Sequence, residues 1–257
     1  MGWHSFVTMG DSFSEGMDDP YPDGSFRGWA DLVAARLAIE EGPDFRYANL
    51  AVRGRLLDQI VAEQLGPTLA MRPDLISIAA GGNDVLCRKV DPASLVAKLD
   101  AVVAKLRASG ADVIVFRFAD VTGQLPAQRI VGPRAAALND GAREIAERRG
   151  AYCVDLFGDD AFRHPAMWSV DRLHLSPAGH RRTAAHVLRA LGVGVDEQWM
   201  LVPPAPAPTP WLMARSADLR WAGRHLAPWL KRRIVGESSG DLITAKRPEL
   251  SRIDQIA

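Results

Sequence analysis

Five short apolar runs, each followed by a longer segment with helical periodicity, constrain this chain more than any other feature. The runs are Ser5–Met9, Arg46–Ala51, Leu75–Ala80, Val113–Phe118 and Ala151–Leu156. Rich in Val, Ile, Phe or Tyr, and several of them near-continuously apolar, they have the character of strands covered on both faces. Between them lie Trp29–Glu41, Leu56–Met71, Pro92–Ser109 and Pro133–Arg149. In the third, Leu95, Leu99, Val102, Val103 and Leu106 share one face, with Lys98, Asp100, Lys105 and Arg107 opposite, which is the helical period. A fifth helix is punctuated at both ends, by Ser176 as N-cap, Pro177 at the first helical position and Gly192 past the last. Parallel strands need crossover connections, so this alternation implies a parallel sheet between layers of helices. The expected fold class is α/β, a three-layer α/β/α sandwich around a five-stranded parallel sheet.

The length of 257 residues, 47% of them hydrophobic, suffices for one sizeable core and an appendage. Lys+Arg and Asp+Glu both number 31, so no global field draws the chain to nucleic acid, and any charge preference is local. No stretch reaches the roughly 18 consecutive apolar residues of a membrane span, and no basic, then apolar, leader precedes the first strand. The expectation is a cytoplasmic protein without an integral membrane segment. Cys87 and Cys153 stand far apart and without a partner pair, which points to small buried side chains rather than to a disulfide framework or zinc cluster.

Open α/β sheets bind ligands beyond the carboxyl ends of their strands. After the first strand stands Gly10-Asp11-Ser12; after the second, Asn49 and Gly54; after the third, Gly81-Gly82-Asn83-Asp84; after the fifth, Asp171 and His174. A serine after a strand is more often a cap or turn former than a nucleophile. Here it has company on one edge of the sheet. Acyl transfer needs an alcohol nucleophile, a base for its proton, an acid to orient the base and donors for the developing oxyanion. All four residue types are present, and Asp171 and His174, three residues apart in one turn, can face the same way.

These residues resemble the SGNH (GDSL-type) hydrolases. Block I is matched by Gly10-Asp11-Ser12, the block II glycine by Gly54 five residues after Asn49, block III by Gly81-Gly82-Asn83-Asp84 and block V by Asp171-x-x-His174, in order, over about residues 5–192. The resemblance implies a flavodoxin-like sandwich in which Ser12 is the nucleophile, His174 the general base and Asp171 its orienter. It further implies an oxyanion hole of the Ser12 and Gly54 N–H groups and the Asn83 amide. Phe13 stands where the older family name has leucine, an apolar exchange that touches no catalytic group. An α/β-hydrolase elbow is disfavoured, because Ser14 occupies the position where G-x-S-x-G needs glycine. The expected activity is serine-dependent hydrolysis of a small or medium-chain carboxylic ester, with acyl transfer to a saccharide or other alcohol, or a non-catalytic binding module, as alternatives. Neither a metal nor a cofactor is called for.

Other residues carry plainer expectations. Asp11 is expected to bond neighbouring loop backbone, and Asp84 to cap the helix that follows it. His180 and His186, six apart on one helix, lack the spacing of paired metal ligands. Arg27 and Arg53 flank blocks I and II, where they would either contact an anionic substrate group or sit in ion pairs. The loops Met17–Arg27 and Ala119–Gly132, with Tyr21, Phe26, Val121, Leu125, Ile130 and Val131, are the candidates for choosing the substrate. The expected organisation is a catalytic domain over 1–194, a strap over 195–210 containing the proline-rich VPPAPAPTP, and a helical extension over 211–257. In that extension Leu219, Ala222, Leu226, Trp229 and Leu230 form an apolar stripe opposite Arg220, Arg224, Lys231, Arg232 and Arg233. Docking on the core is expected of it, with a homodimer contact or an acidic lipid surface as the other options.

Overall fold

In the computed structural model, which describes residues 2–87, 89–120, 128–204 and 240–253, strands and helices alternate as the sequence pattern expects. The order is β1 (Ser5–Gly10), α1 (Ser12–Glu15), α2 (Gly28–Glu41), β2 (Arg46–Asn49), α3 (Leu57–Ile60), a π-helix (Val61–Leu65), α4 (Gly66–Met71), β3 (Leu75–Ala79) and α5 (Gly82–Val85). It continues with α6 (Pro92–Ala108), β4 (Asp112–Arg117), α7 (Gln128–Arg149), β5 (Tyr152–Asp155), α8 (Pro177–Ala190) and β6 (Arg247–Arg252). Side chains alternate across the strands with the period of two. Phe6, Leu75, Ala79, Ile114 and Phe116 pack with Trp29, Leu37, Val187 and Leu188 of α2 and α8. Met9, Ile76, Ile78, Val113 and Val115 face the other way, against Leu57, Leu99, Val103, Leu138 and Ile145. Three layers follow from that alternation.

The helix ends obey their caps. Asp91 accepts from the N–H groups of Ala93 and Ser94 ahead of Pro92, and Ser176 accepts from Gly179 ahead of Pro177. One boundary departs from expectation: α7 begins at Gln128, five residues before Pro133. A proline lacks an N–H and disfavours a helix interior, but within the first turns few bonds are lost.

The sheet order is β5-β4-β3-β1-β2-β6. The chain leaves β1 for β2 on one side and returns to place β3 on the other, so the strand order reverses at β1, and a crevice opens at its carboxyl end. Ser12 is two residues past that end. The sheet has six strands, not five. Arg247–Arg252, assigned above to a helical extension, instead pairs antiparallel with β2. The expected helix around 219–230 lies outside the described residues.

Lys246, just before β6, anchors this arm. Its Nζ donates to Asp31 Oδ1 at 2.8 Å and to the carbonyls of Phe26 and Arg27 at 2.9 and 2.7 Å, using all three N–H bonds. Burial pulls its pKa down, and the Asp31 carboxylate opposes that. Asp31 also accepts from Tyr47 and Tyr21 and is 1% exposed. Lys246→Met is expected to leave that carboxylate buried without its cation and to cost about 3–5 kcal/mol in urea unfolding. Adding Asp31→Asn should recover part of the loss; a single variant as stable as the parent would show the pair to be energetically silent.

Candidate active site

Gly10 ends β1 with φ +152°, and a Cβ there would stand 2.7 Å from the Ala79 carbonyl. Only glycine lets the chain pass β3 this closely before turning into α1. Asp11 caps α1 by accepting from the Phe13 N–H at 3.0 Å, and the turn presents Ser12. From the far side of the sheet edge the loop before α8 brings Asp171 and His174. Arg172 in that loop has φ +59°, a left-handed step that lets the Asp171 carboxylate fold back over the turn. Asp171 Oδ1 accepts from the N–H groups of Leu173 and His174 at 2.9 and 3.0 Å, while Oδ2 lies 2.5 Å from His174 Nδ1. His174 Nε2 is in turn 3.0 Å from Ser12 Oγ. Residues 162 positions apart thus form one hydrogen-bonded chain.

The electrostatics fix the proton. Burial works against the Asp171 carboxylate, but the His174 contact and two backbone N–H bonds hold its pKa well below the usual range. It therefore accepts, Nδ1 carries the hydrogen, and Nε2 turns a lone pair to Ser12. Burial also opposes an imidazolium at His174; the Asp171 bond and the charges of Asp171, Asp18 and Asp11 outweigh it, so its pKa is raised above 6.5. Asp11 is pushed up to about 6, mainly by burial.

Asn83, in α5, reaches the same spot. Its Nδ2 donates to Asp11 Oδ2 at 2.9 Å and to the Arg55 carbonyl at 3.2 Å. Gly54, with φ +75°, sits in the turn just before Arg55; it does not line the cleft, whereas Ser12 and Asn83 do. Asp84 departs from its expected role. It lies inside α5, the helix that follows, α6, is capped by Asp91, and Asp84 Oδ2 instead accepts from the Leu57 N–H at the start of α3, tying the block II turn to block III.

Arg27 and Arg53 both face buried carboxylates. Arg27 forks onto Asp19 at 3.0 and 2.9 Å. Arg53 pairs with Glu15, which also accepts its backbone N–H at 2.8 Å, and lies over the Phe26 ring. Neither arginine lines the cleft. His180 Nδ1 accepts the Trp29 N–H at 3.2 Å, so Nε2 donates to the Met17 carbonyl at 2.9 Å. Burial pulls its pKa down to about 4, and it serves as a neutral brace. His186 bonds Asp159.

The cleft has a volume of about 140 Å³ and is lined mainly by apolar side chains, among them Phe13, Met17, Leu86, Phe118, Leu138 and Trp168. Asn139 also borders it, but its amide is spent on both backbone groups of Phe118, at 2.8 and 2.9 Å. Of the proposed selectivity loops, Met17, Ala119, Asp120 and Val131 line the wall. Tyr21 bonds Asp31, Ile130 is exposed, and Val121 and Leu125 lie outside the described residues. Sequence reasoning missed Asp18 and Ser169, which stand beside Asp171 and His174; no spacing rule links position 18 to position 174.

Known proteins share this arrangement of elements. The esterase TesA of Pseudomonas aeruginosa is 29% identical over 186 residues, 71% of this chain and 85% of its own. LAE5, described as an alpha/beta hydrolase enzyme from the metagenome of Lake Arreo, Spain, superposes with a TM-score of 0.60 at 25% identity, over 74% of this chain and 95% of that one. The acetylxylan esterase Axe2 of Geobacillus stearothermophilus gives 0.60 at 22% identity, over 80% and 97%, a likeness of fold alone. The family model described as GDSL-like Lipase/Acylhydrolase matches residues 8–182. That span contains the carboxyl end of β1, the block II turn, α5 and the loop before α8, and the chain belongs to the GDSL-like lipase/acylhydrolase family.

Proposed function

We propose that the chain is a serine-dependent acyl-ester hydrolase working through an acyl-enzyme on a small or medium-chain carboxylic ester. The observation that carries this is the unbroken contact from Asp171 through His174 to Ser12, at 2.5 and 3.0 Å, at the mouth of an apolar cleft. Ser12 Oγ attacks the ester carbonyl carbon while His174 Nε2 takes its proton, and the carbonyl π electrons move to oxygen. The Ser12 N–H and the Asn83 amide, both at the cleft, are the donors assigned to that oxyanion, with the Gly54 N–H of the adjoining turn kept as the third donor that the family resemblance implies. Collapse expels the alcohol, protonated by His174. Water then enters by the same route in reverse roles, releasing the acid and restoring Ser12.

The apolar lining supports an acyl chain in the cleft. The test pairs a panel of 4-nitrophenyl esters of increasing acyl length with a fluorophosphonate probe and mass spectrometry. Labelling at Ser12, blocked by prior incubation with a slow substrate, is the expected result. Labelling elsewhere, or none with turnover intact, would overturn the reading.

The pH profile follows from the electrostatics. His174 acts as base only when neutral, and its pKa is raised above 6.5, so kcat/KM is expected to fall as pH drops, with an apparent midpoint above 6.5. Asp11 titrates nearby, at about 6, so the limb belongs to the pair. A rate flat from about pH 5 to 8 with chemistry limiting would count against His174 as base.

A further inference from the structure

Asp18 follows α1 in the loop to α2 and has no part in the acyl-transfer steps above. Its backbone is left-handed, φ +68°, at a residue that is not glycine, a conformation that Asp and Asn adopt more readily than other side chains. The turn aims its carboxylate at the back of the His174 ring, with Oδ2 3.9 Å from Nδ1. Ser169 bridges the two acids: its Oγ lies 2.5 Å from Asp18 Oδ2 and 3.0 Å from Asp171 Oδ1. Asp171 Oδ1 already accepts two backbone N–H bonds, so the single hydroxyl proton belongs to the shorter contact, with Asp18.

We propose that Asp18 is a second carboxylate behind His174, a positioning residue that strengthens the imidazole as a base and takes over Nδ1 when Asp171 is removed. The inference rests on the serine-hydrolase reading only for its kinetic consequence. Two negative groups near one ring nitrogen stabilise the imidazolium more than one does. Facing the ring are Asp171 on its own turn and Asp11 and Asp18 from the segment after β1, all of which favour the charged form, while burial opposes it. His180 of α8 is close enough to feel the His174 charge. The Asp18 side chain is 33% exposed, so water weakens its field, and its effect on the ring is smaller than that of Asp171, which also bonds Nδ1.

The test uses the full chain with Asp18→Asn. Asparagine keeps an acceptor for Ser169 and tolerates the left-handed backbone, so the substitution removes the charge alone. The His174 imidazole is followed by nitrogen NMR without substrate, and kcat/KM against pH is measured with an ester. Both midpoints are expected to move to lower pH by about half to one unit, with Tm unchanged. An unmoved NMR titration overturns the proposal, as does a lower plateau with the limb in place, which is what a merely structural role predicts. Asp171→Ala is expected to retain about tenfold more activity than Asp171→Ala with Asp18→Asn; equal rates would refute the takeover. Turnover surviving in Ser12→Ala would instead sink the serine reading, and leaves the substrate-free NMR arm to judge Asp18 by itself.

Discussion

Ser12→Ala is expected to lower kcat by about 10⁴–10⁶, and His174→Ala by a comparable factor, in steady-state assays on the ester that turns over fastest. In the proposed mechanism Ser12 Oγ is the atom that forms the acyl bond, so alanine would leave water as the only nucleophile. His174 Nε2, 3.0 Å away, is the acceptor that this mechanism gives the serine proton, and without it the hydroxyl would attack at its own very low basicity. The two losses should not add. Once either member is gone, the other has nothing to act on, and the double variant should sit within a few-fold of the worse single one. Asp171→Asn is expected to cost a factor of about 10⁴ by another route. An amide can donate to Nδ1, which would place the imidazole hydrogen on Nε2, facing Ser12. Fold should be untouched in Ser12→Ala, whose Oγ bonds the imidazole alone among the described contacts of the site. Near-parental turnover in Ser12→Ala with an unchanged melting curve would end the proposed mechanism.

The parts of this molecule that announce themselves in the sequence are those in which one residue type has one physical use. Strands buried on both faces must be apolar, so β1, β3 and β4 stand out at once, and the caps of α6 and α8 sit where Asp91-Pro92 and Ser176-Pro177 place them. The edge strand β6 reads RPELSR and is largely exposed. What holds it is backbone pairing to β2 and the Lys246 ammonium, neither of which leaves a hydrophobic pattern, and a proline at an edge costs no ladder bond. Asp171 and His174 are legible because one turn carries both. Asp18 is not, since its approach to His174 depends on how the loop between Gly16 and Gly28 closes. Those two glycines meet so tightly that a Cβ on Gly28 would lie 2.2 Å from the Gly16 Cα. Arg27 and Arg53 are ambiguous in the sequence for a related reason: a cation near a site is drawn either to ligand or to protein carboxylates, and only the fold reveals Asp19 and Glu15 beside them.

Asn83→Ala is expected to lower kcat by about 10²–10³ with little change in KM. A donor aimed at the oxyanion bonds a full negative charge in the tetrahedral state but only a weak carbonyl dipole in the bound ester, so its removal raises the barrier more than it weakens binding. In the resting site both amide hydrogens are already engaged, one by Asp11 Oδ2 at 2.9 Å and one by the Arg55 carbonyl at 3.2 Å. In the proposed mechanism one of them is exchanged for the oxyanion. The longer bond to Arg55 is the cheaper to give up, whereas the bond to Asp11 keeps the amide plane pointed into the cleft. Asn83→Asp therefore separates the roles better than alanine alone. It matches asparagine in shape but replaces the donor with an acidic group beside Asp11, so catalysis should fall at least as far as in Asn83→Ala. If Asn83 only tied α5 to the block II turn, alanine would lower Tm and leave kcat of the folded enzyme near the parent. A rise in KM with kcat preserved would make the amide a ground-state contact and remove it from the oxyanion hole, leaving the Ser12 and Gly54 N–H groups to carry the charge.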